Sequence, residues 1–196
     1  MLDRIAERVL DAVDQAAPEL RYEEKACAFG AGTNATLRQM LGARSCDVPY
    51  PIGGGMCDLV FADGPAQVWI EVKKAWTWST YTKPSGSNSA YSKHLFGEAA
   101  SALHDGRDRL PRLIGRPEAQ AIGLLVLGLD SIQRPLPVGD LDRLALQAGI
   151  DREPWRRFSR PRRASRHPGF EPIGVHAHLW MRGTTSADAV LRGAHS

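Results

Sequence analysis

The feature that most constrains this chain is a pair of short β-prone runs on either side of a turn signal. Residues 56–62 and 67–75 are rich in Val, Ile, Phe and Trp, and Asp63-Gly64-Pro65 separates them. Two such runs around a Gly-Pro turn predict a β-hairpin. A hairpin centred on the bond between Gly64 and Pro65 has a defined register, so the sequence also predicts which side chains face each other.

This hairpin is unusual because it carries charged residues at neighbouring positions. The register brings Asp58 directly opposite Glu71, with Cβ atoms about 5 Å apart. Residues two apart on a strand share a face, so Lys73 joins Glu71. Two facing carboxylates repel each other, and a divalent cation such as Mg²⁺ removes that conflict. The three residues therefore predict metal-assisted hydrolysis of a phosphodiester. The alternative is an exposed hairpin in which Glu71 forms ordinary ion pairs with Lys73 or Lys74.

The remaining patterns predict helices and two more strands. Apolar residues recur at helical spacing in five segments, which are 2–16, 20–29, 33–42, 92–110 and 141–149. The unbroken apolar run 121–130 predicts a strand buried on both faces, and 172–181 predicts a last strand. This order is typical of an α/β protein with a mixed sheet flanked by helices.

The sequence CDLVF, followed by WIEVKKAW, resembles the Asp…Glu-x-Lys signature of the PD-(D/E)xK nuclease superfamily. The resemblance implies the restriction-endonuclease-like fold, with an α-β-β-β-α-β core. It also implies a Mg²⁺-dependent nuclease, in which Mn²⁺ can substitute. We expect a DNA endonuclease that leaves a 5′-phosphate and a 3′-hydroxyl.

The same resemblance assigns roles to residues. It implies that Asp58 and Glu71 are metal ligands, that the main-chain carbonyl of Val72 is a third ligand, and that Lys73 lies beside the attacking water. Many members of the family add a glutamate from an upstream helix. The sequence offers three candidates for it, which are Glu7, Glu23 and Glu24. We favour Glu24, because Glu7 is separated from the hairpin by more chain than is usual.

Positive charge is concentrated near the end of the chain. Residues 151–196 contain nine arginines and four acidic residues, whereas residues 1–150 contain 16 basic and 18 acidic residues. Seven of these arginines lie within residues 152–166, a segment that also contains Trp155 and Phe158. Arginines mixed with aromatic residues are typical of segments that bind phosphate backbones and bases. The alternative is a solvated linker. The residues that we expect to bind nucleic acid, with DNA favoured, are Arg156, Arg157, Arg160, Arg162, Arg163 and Lys74.

Length and composition bound the remaining possibilities. The chain has 196 residues, of which 43% are hydrophobic and 24% charged, and this excludes collagen-like, disordered and coiled-coil proteins. We assign residues 1–150 to the nuclease-like core and residues 151–196 to an arginine-rich extension whose final strand packs on the same domain. No apolar stretch reaches the ~18 residues of a membrane span, and no secretory signal is recognisable. The three cysteines form no disulfide or zinc pattern. We expect a cytoplasmic protein.

Two further expectations concern assembly and function. Cleavage of both DNA strands by one small active site favours a homodimer. A different class of function is also open, namely a nuclease-fold protein that lacks catalysis and binds nucleic acid or another protein. In that case the arginine-rich segment would dominate the function, and binding would not need a metal ion.

Overall fold

The structure is a computed structural model, and it describes residues 1–16, 36–42, 48–51, 54–76, 109–130, 142–143, 145–146, 149–165 and 173–184. For residues 73–76, 129–130, 161–165 and 173–175 it describes the backbone only. These residues form a mixed α/β arrangement with one long helix, α1 (Leu2–Ala16). The strands are β1 (Val48–Pro49), β2 (Met56–Cys57), β3 (Leu59–Asp63), β4 (Ala66–Trp76), β5 (Ala121–Asp130), β6 (Arg156–Ser165) and β7 (Ile173–Gly183).

Five of these strands form one mixed sheet in the order β3-β4-β5-β7-β6. Strands β4 and β5 are parallel, and the other neighbours are antiparallel. The short strands β1 and β2 form a separate two-stranded hairpin. The apolar run 121–130 is the central strand β5, as the sequence predicts, and the last predicted strand is β7.

The β3–β4 hairpin has the register that the sequence predicts. Its pairs run from Leu59 opposite Ile70 to Asp63 opposite Ala66. The turn consists of Gly64, whose φ is +60°, and a proline, which fits a type II′ turn. This turn matches the twist of the two strands, and it requires a residue that adopts positive φ without strain.

Helix α1 covers one face of the sheet. Its apolar side chains Ile5, Val9, Leu10 and Val13 are buried against residues of β3, β4, β5 and β7. Burial of a side chain of this size contributes about 1.5–3 kcal/mol, so this face holds the helix to the sheet. The predicted helix 2–16 is confirmed. Residues 36–41 are helical and belong to the same apolar cluster through Leu37 and Leu41.

The opposite face of the sheet carries a second apolar cluster. It contains Trp69 of β4, three buried side chains of β5, and Trp180 of β7. A 3₁₀ turn, Leu110–Leu113, and a short helical segment around residue 145 cover it. That segment ends at Gly149, as predicted. Gly149 has a φ of +74° and donates its N–H to the Leu146 carbonyl, while the next N–H reaches Ala145. This is the hydrogen-bond pattern of a Schellman motif.

The arginine-rich segment forms the edge strand β6, which the sequence analysis does not predict. Arg156 pairs with Asp3 of α1 at 2.6 Å. Arg160 pairs with three acidic residues of the same helix, which are Glu7, Asp11 and Asp14. The basic strand therefore lies against an acidic stripe of α1, and these arginines stabilise the packing of the helix on the sheet.

Several predicted segments lie outside the described residues. They are the helical stretch 20–29, the start of the helix 33–42, and most of the helix 92–110. Among the described residues, no helix has both the length and the apolar character that crossing a membrane requires.

The ion pairs between α1 and β6 lead to a prediction for Arg160→Ala. This variant removes the partner of three neighbouring carboxylates, so we expect it to lower the free energy of unfolding by about 1 kcal/mol at low salt. High salt should shrink the difference, because it screens the charges. Arg156→Ala is the matched control, since its pair with Asp3 is exposed and should matter less. Urea unfolding at low and high salt measures both variants, and equal losses in the two would contradict the prediction.

Candidate active site

Asp58 lies in a bend between β2 and β3, one position beyond the last pair of the hairpin. Its Oδ2 accepts a hydrogen bond from the Val72 N–H at 2.8 Å. The side chain of Asp58 thus replaces the backbone of β3 in contacting β4. It ends the regular pairing of the two strands, and its carboxylate is held at the edge of the hairpin.

Glu71 lies in the middle of β4, at the position that the register places opposite Asp58. On the β5 side of β4, Glu71 pairs with Leu124. Glu71 is only 1% exposed and faces the second apolar cluster. Removal of a carboxylate from water costs free energy unless polar groups contact it. The tyrosine hydroxyl of Tyr50 supplies one such contact, because it donates a hydrogen bond to Glu71 Oε1.

Tyr50 follows β1 and reaches Glu71 from the β1–β2 hairpin. Its backbone N–H donates to the Gly55 carbonyl at 3.1 Å, which closes this hairpin. Its ring stacks on Trp69 with centroids 5.8 Å apart. The indole N–H of Trp69 in turn donates to the Glu118 carbonyl at 2.9 Å. Tyr50 is therefore held by contacts at its backbone and its ring as well as at its hydroxyl.

Cys57 completes the surroundings of Glu71. It is a free, buried cysteine, and its thiol donates to the Ile70 carbonyl at 3.4 Å. Burial raises the pKa of the Cys57 thiol, and the charge of Glu71 raises it further. Burial likewise raises the pKa of Tyr50, with contributions from Cys57 and Glu71. Both groups stay protonated at neutral pH, so the carboxylate of Glu71 lies beside neutral groups.

The backbone of β4 offers a third oxygen group beside the carboxylates of Asp58 and Glu71. The N–H and C=O of one strand residue point toward the same neighbouring strand. The Val72 N–H meets Asp58, so the Val72 carbonyl also points toward that side of β4. Two carboxylates and one carbonyl are hard oxygen donors, which suit Mg²⁺ completed by water and phosphate oxygens. The donor set therefore fits the implied cation. Within the described residues, no group of three or more His, Cys, Asp or Glu side chains could hold a metal ion.

The other catalytic candidates are placed as follows. The backbone of Lys73 lies beside Val126 of β5, and its side chain is outside the described residues, as is that of Lys74. Glu23 and Glu24 lie outside the described residues altogether. Glu7 belongs to α1, across the sheet from Glu71, and it pairs with Arg160. The structure therefore does not bring Glu7 to the hairpin carboxylates.

The arginines expected to bind nucleic acid lie on β6. Arg156 and Arg160 face α1 and are engaged in the ion pairs described above. Arg157 lies on the opposite face, where it pairs with Asp142 at 2.7 Å. The side chains of Arg162 and Arg163 lie outside the described residues.

His178 is a further buried polar residue. It lies on β7, on the same face as Glu71, and it is 5% exposed. Its Nδ1 is 3.1 Å from Nη2 of Arg157. Arginine is always a donor, so Nδ1 accepts and the ring proton lies on Nε2. Nε2 has no hydrogen-bond partner among the described residues. In this tautomer Nε2 carries the proton and has no lone pair for a metal ion, and the lone pair of Nδ1 accepts from Arg157.

Comparison with known proteins identifies no relative of this chain. No protein-family model, no curated protein and no solved structure matches it. The function therefore has to be inferred from the arrangement of Asp58, Glu71 and their neighbours.

The burial of His178 leads to a pH prediction. Desolvation lowers its pKa from 6.5 to about 4, and the charge of Arg157 adds to this effect. Between these two values the unfolded chain binds more protons than the folded chain, so stability falls as the pH falls. The loss attributable to His178 is at most about 3 kcal/mol.

We expect His178→Asn to lose less stability than the wild type between neutral pH and about pH 4, because this variant has no imidazole to protonate. His176→Asn is the matched control, since it removes the neighbouring imidazole and leaves His178 in place. Urea unfolding at the two pH values measures the effect. Identical pH dependence in His178→Asn and the wild type would contradict the assignment.

Proposed function

We propose that this protein is a Mg²⁺-dependent nuclease, with Mn²⁺ able to substitute, and that it acts as a DNA endonuclease. The observation that carries the proposal is the hairpin register, whose last pair is Leu59 opposite Ile70, so that Asp58 and Glu71 are the next residues on the two strands. Glu71 is fully buried there. Repulsion between two neighbouring carboxylates and the burial of one of them both cost free energy of folding. Ionisable groups with such a cost cluster at functional sites.

The element order gives a second support. Helix α1 is followed by the β3–β4 hairpin, and β5 lies parallel to β4 in a mixed sheet. This order agrees with part of the core of the restriction-endonuclease-like fold that the Asp…Glu-x-Lys pattern suggests, and most of the second core helix, expected at 92–110, lies outside the described residues. We propose that fold for this chain, with strands β6 and β7 extending the sheet beyond the common core.

In the proposed site, Asp58, Glu71 and the Val72 carbonyl hold the cation. A bound Mg²⁺ supplies charge stabilisation to the phosphate and lowers the pKa of a water molecule. Lys73 is proposed to orient the attacking water and to offset the charge that develops on the phosphate. Glu24 is proposed as the additional glutamate. The Val72 N–H orients the carboxylate of Asp58 through a hydrogen bond to Oδ2.

Nucleic-acid binding has a distinct basis. Arg109 lies near the β1–β2 hairpin. Its guanidinium carbon is 3.7 Å from the position that a Cβ atom added to Gly55 would occupy. We propose that positive charge on this side contacts the phosphate backbone, together with Arg162, Arg163 and Lys74. Arg156, Arg157 and Arg160 would have to exchange their carboxylate partners for phosphates to contribute. A homodimer is proposed for cleavage of both strands.

A second candidate function is a nuclease-fold module that binds nucleic acid or protein without catalysis. The specific observation in its favour is the burial of Glu71 beneath Tyr50, since a metal ligand has to be reached by the ion. This alternative expects binding that persists in EDTA and weakens with salt.

The proposal predicts that Glu71→Gln and Asp58→Asn each lower cleavage of plasmid DNA in Mg²⁺ by about 1000-fold or more. Each variant removes one of the two charged oxygen ligands while keeping its size. The measurement is plasmid cleavage with Mg²⁺, with Mn²⁺ and with EDTA, on protein whose folding is verified by circular dichroism.

Asp63→Asn is the matched control. It removes a carboxylate from the same hairpin, where it pairs with Arg4 at 2.7 Å and with Arg8 at 3.2 Å. We expect this variant to lose some stability and to retain cleavage. Wild-type cleavage by folded Glu71→Gln would refute the proposed site. Wild-type protein that binds DNA in EDTA but never cleaves it would favour the second candidate.

A further inference from the structure

Tyr50 contacts the buried carboxylate of Glu71, and no catalytic role accounts for it. Its hydroxyl donates to Oε1, and the residue is 7% exposed. Two further contacts fix it, which are the backbone bond to Gly55 and the stacking on Trp69. Trp69 is in turn anchored by its bond to the Glu118 carbonyl. The phenol therefore reaches Glu71 with little freedom to move.

Such a contact has a specific consequence for metal binding. An ionised carboxylate has two oxygens with about four lone-pair sites, so a donor on Oε1 leaves Oε2 able to accept a cation. Carboxylates that bind metals are commonly held by a further hydrogen-bond donor. Loss of that donor typically lowers the metal affinity by about 10–100-fold. A buried carboxylate that loses this hydrogen bond is held less firmly in one orientation.

We propose that Tyr50 is a positioning residue, which fixes the orientation of the Glu71 carboxylate for a divalent cation. The proposal rests on the nuclease function proposed above. Tyr50 itself touches neither the metal nor the phosphate in this account. Its effect is transmitted through the hydrogen bond to Oε1, and the backbone of Tyr50 is held by the β1–β2 hairpin.

The test is the affinity of the full chain for Mn²⁺ alone, measured by isothermal titration calorimetry without DNA. We expect Tyr50→Phe to bind Mn²⁺ about 10–100-fold more weakly than the wild type, since it lacks only the hydroxyl. Higher metal concentration should restore most of its cleavage. Val60→Ala is the control, because it perturbs the same apolar cluster without touching the hydrogen bond, and its Mn²⁺ affinity should equal that of the wild type.

The outcomes separate the two proposals. Equal or tighter Mn²⁺ binding by Tyr50→Phe would overturn the positioning role and leave the nuclease assignment intact. A wild-type protein that binds no Mn²⁺ and cleaves no DNA would overturn both. Weaker binding in Tyr50→Phe and Val60→Ala alike would show a general structural effect and would also overturn the positioning role.

A second measurement covers the case in which Tyr50→Phe does not fold. The chain has four tyrosines, so wild-type protein labelled with 3-fluorotyrosine gives four fluorine resonances, which Phe substitutions at the other three positions assign. We expect saturation with Mg²⁺ to shift the resonance of Tyr50. A Tyr50 resonance that does not move at a metal concentration that saturates binding would overturn the proposal.

Discussion

The register of the β3–β4 hairpin is the constraint on which the rest of the structure depends. Because side chains alternate along a strand, a slip of one residue would exchange the two faces of the hairpin. The Gly64 turn prevents that slip by fixing which residues pair. With the observed register, Phe61 packs toward α1, Val60 packs toward the opposite cluster, and Glu71 faces away from the helix. A turn of two residues thus decides which face of the sheet carries Glu71.

Helix α1 connects the two edges of the sheet through charges as well as through its apolar face. At the β3 edge, Arg8 donates to the Ala62 carbonyl at 2.9 Å and pairs with Asp63. At the β6 edge, acidic residues of the same helix meet Arg160. Exposed strand edges invite pairing with other chains, and charged groups placed on them reduce that tendency. The helix packs on one face of the sheet, and the buried polar residues Glu71 and His178 lie on the other.

Local patterns in the sequence were enough to predict the elements whose interactions are local. The amphipathic spacing of α1, the apolar run of β5 and the turn of the hairpin each depend on neighbouring residues, and each is confirmed. Strand β6 was missed because its arginines look solvent-exposed in sequence, whereas acids about 150 residues away neutralise them. Tyr50 was missed for a related reason. Its partner lies 21 residues away, and the strands that present it are only two residues long.

In the proposed site, Asp58 and Glu71 hold one cation between them. Anomalous X-ray diffraction from a crystal soaked in Mn²⁺ can show this, because the signal locates the metal without any assumption about activity. We expect one peak at the junction of β3 and β4, about 2.0–2.3 Å from a carboxylate oxygen of each residue. Well-ordered Asp58 and Glu71 side chains with no peak beside them, in a crystal that takes up Mn²⁺ elsewhere, would contradict it.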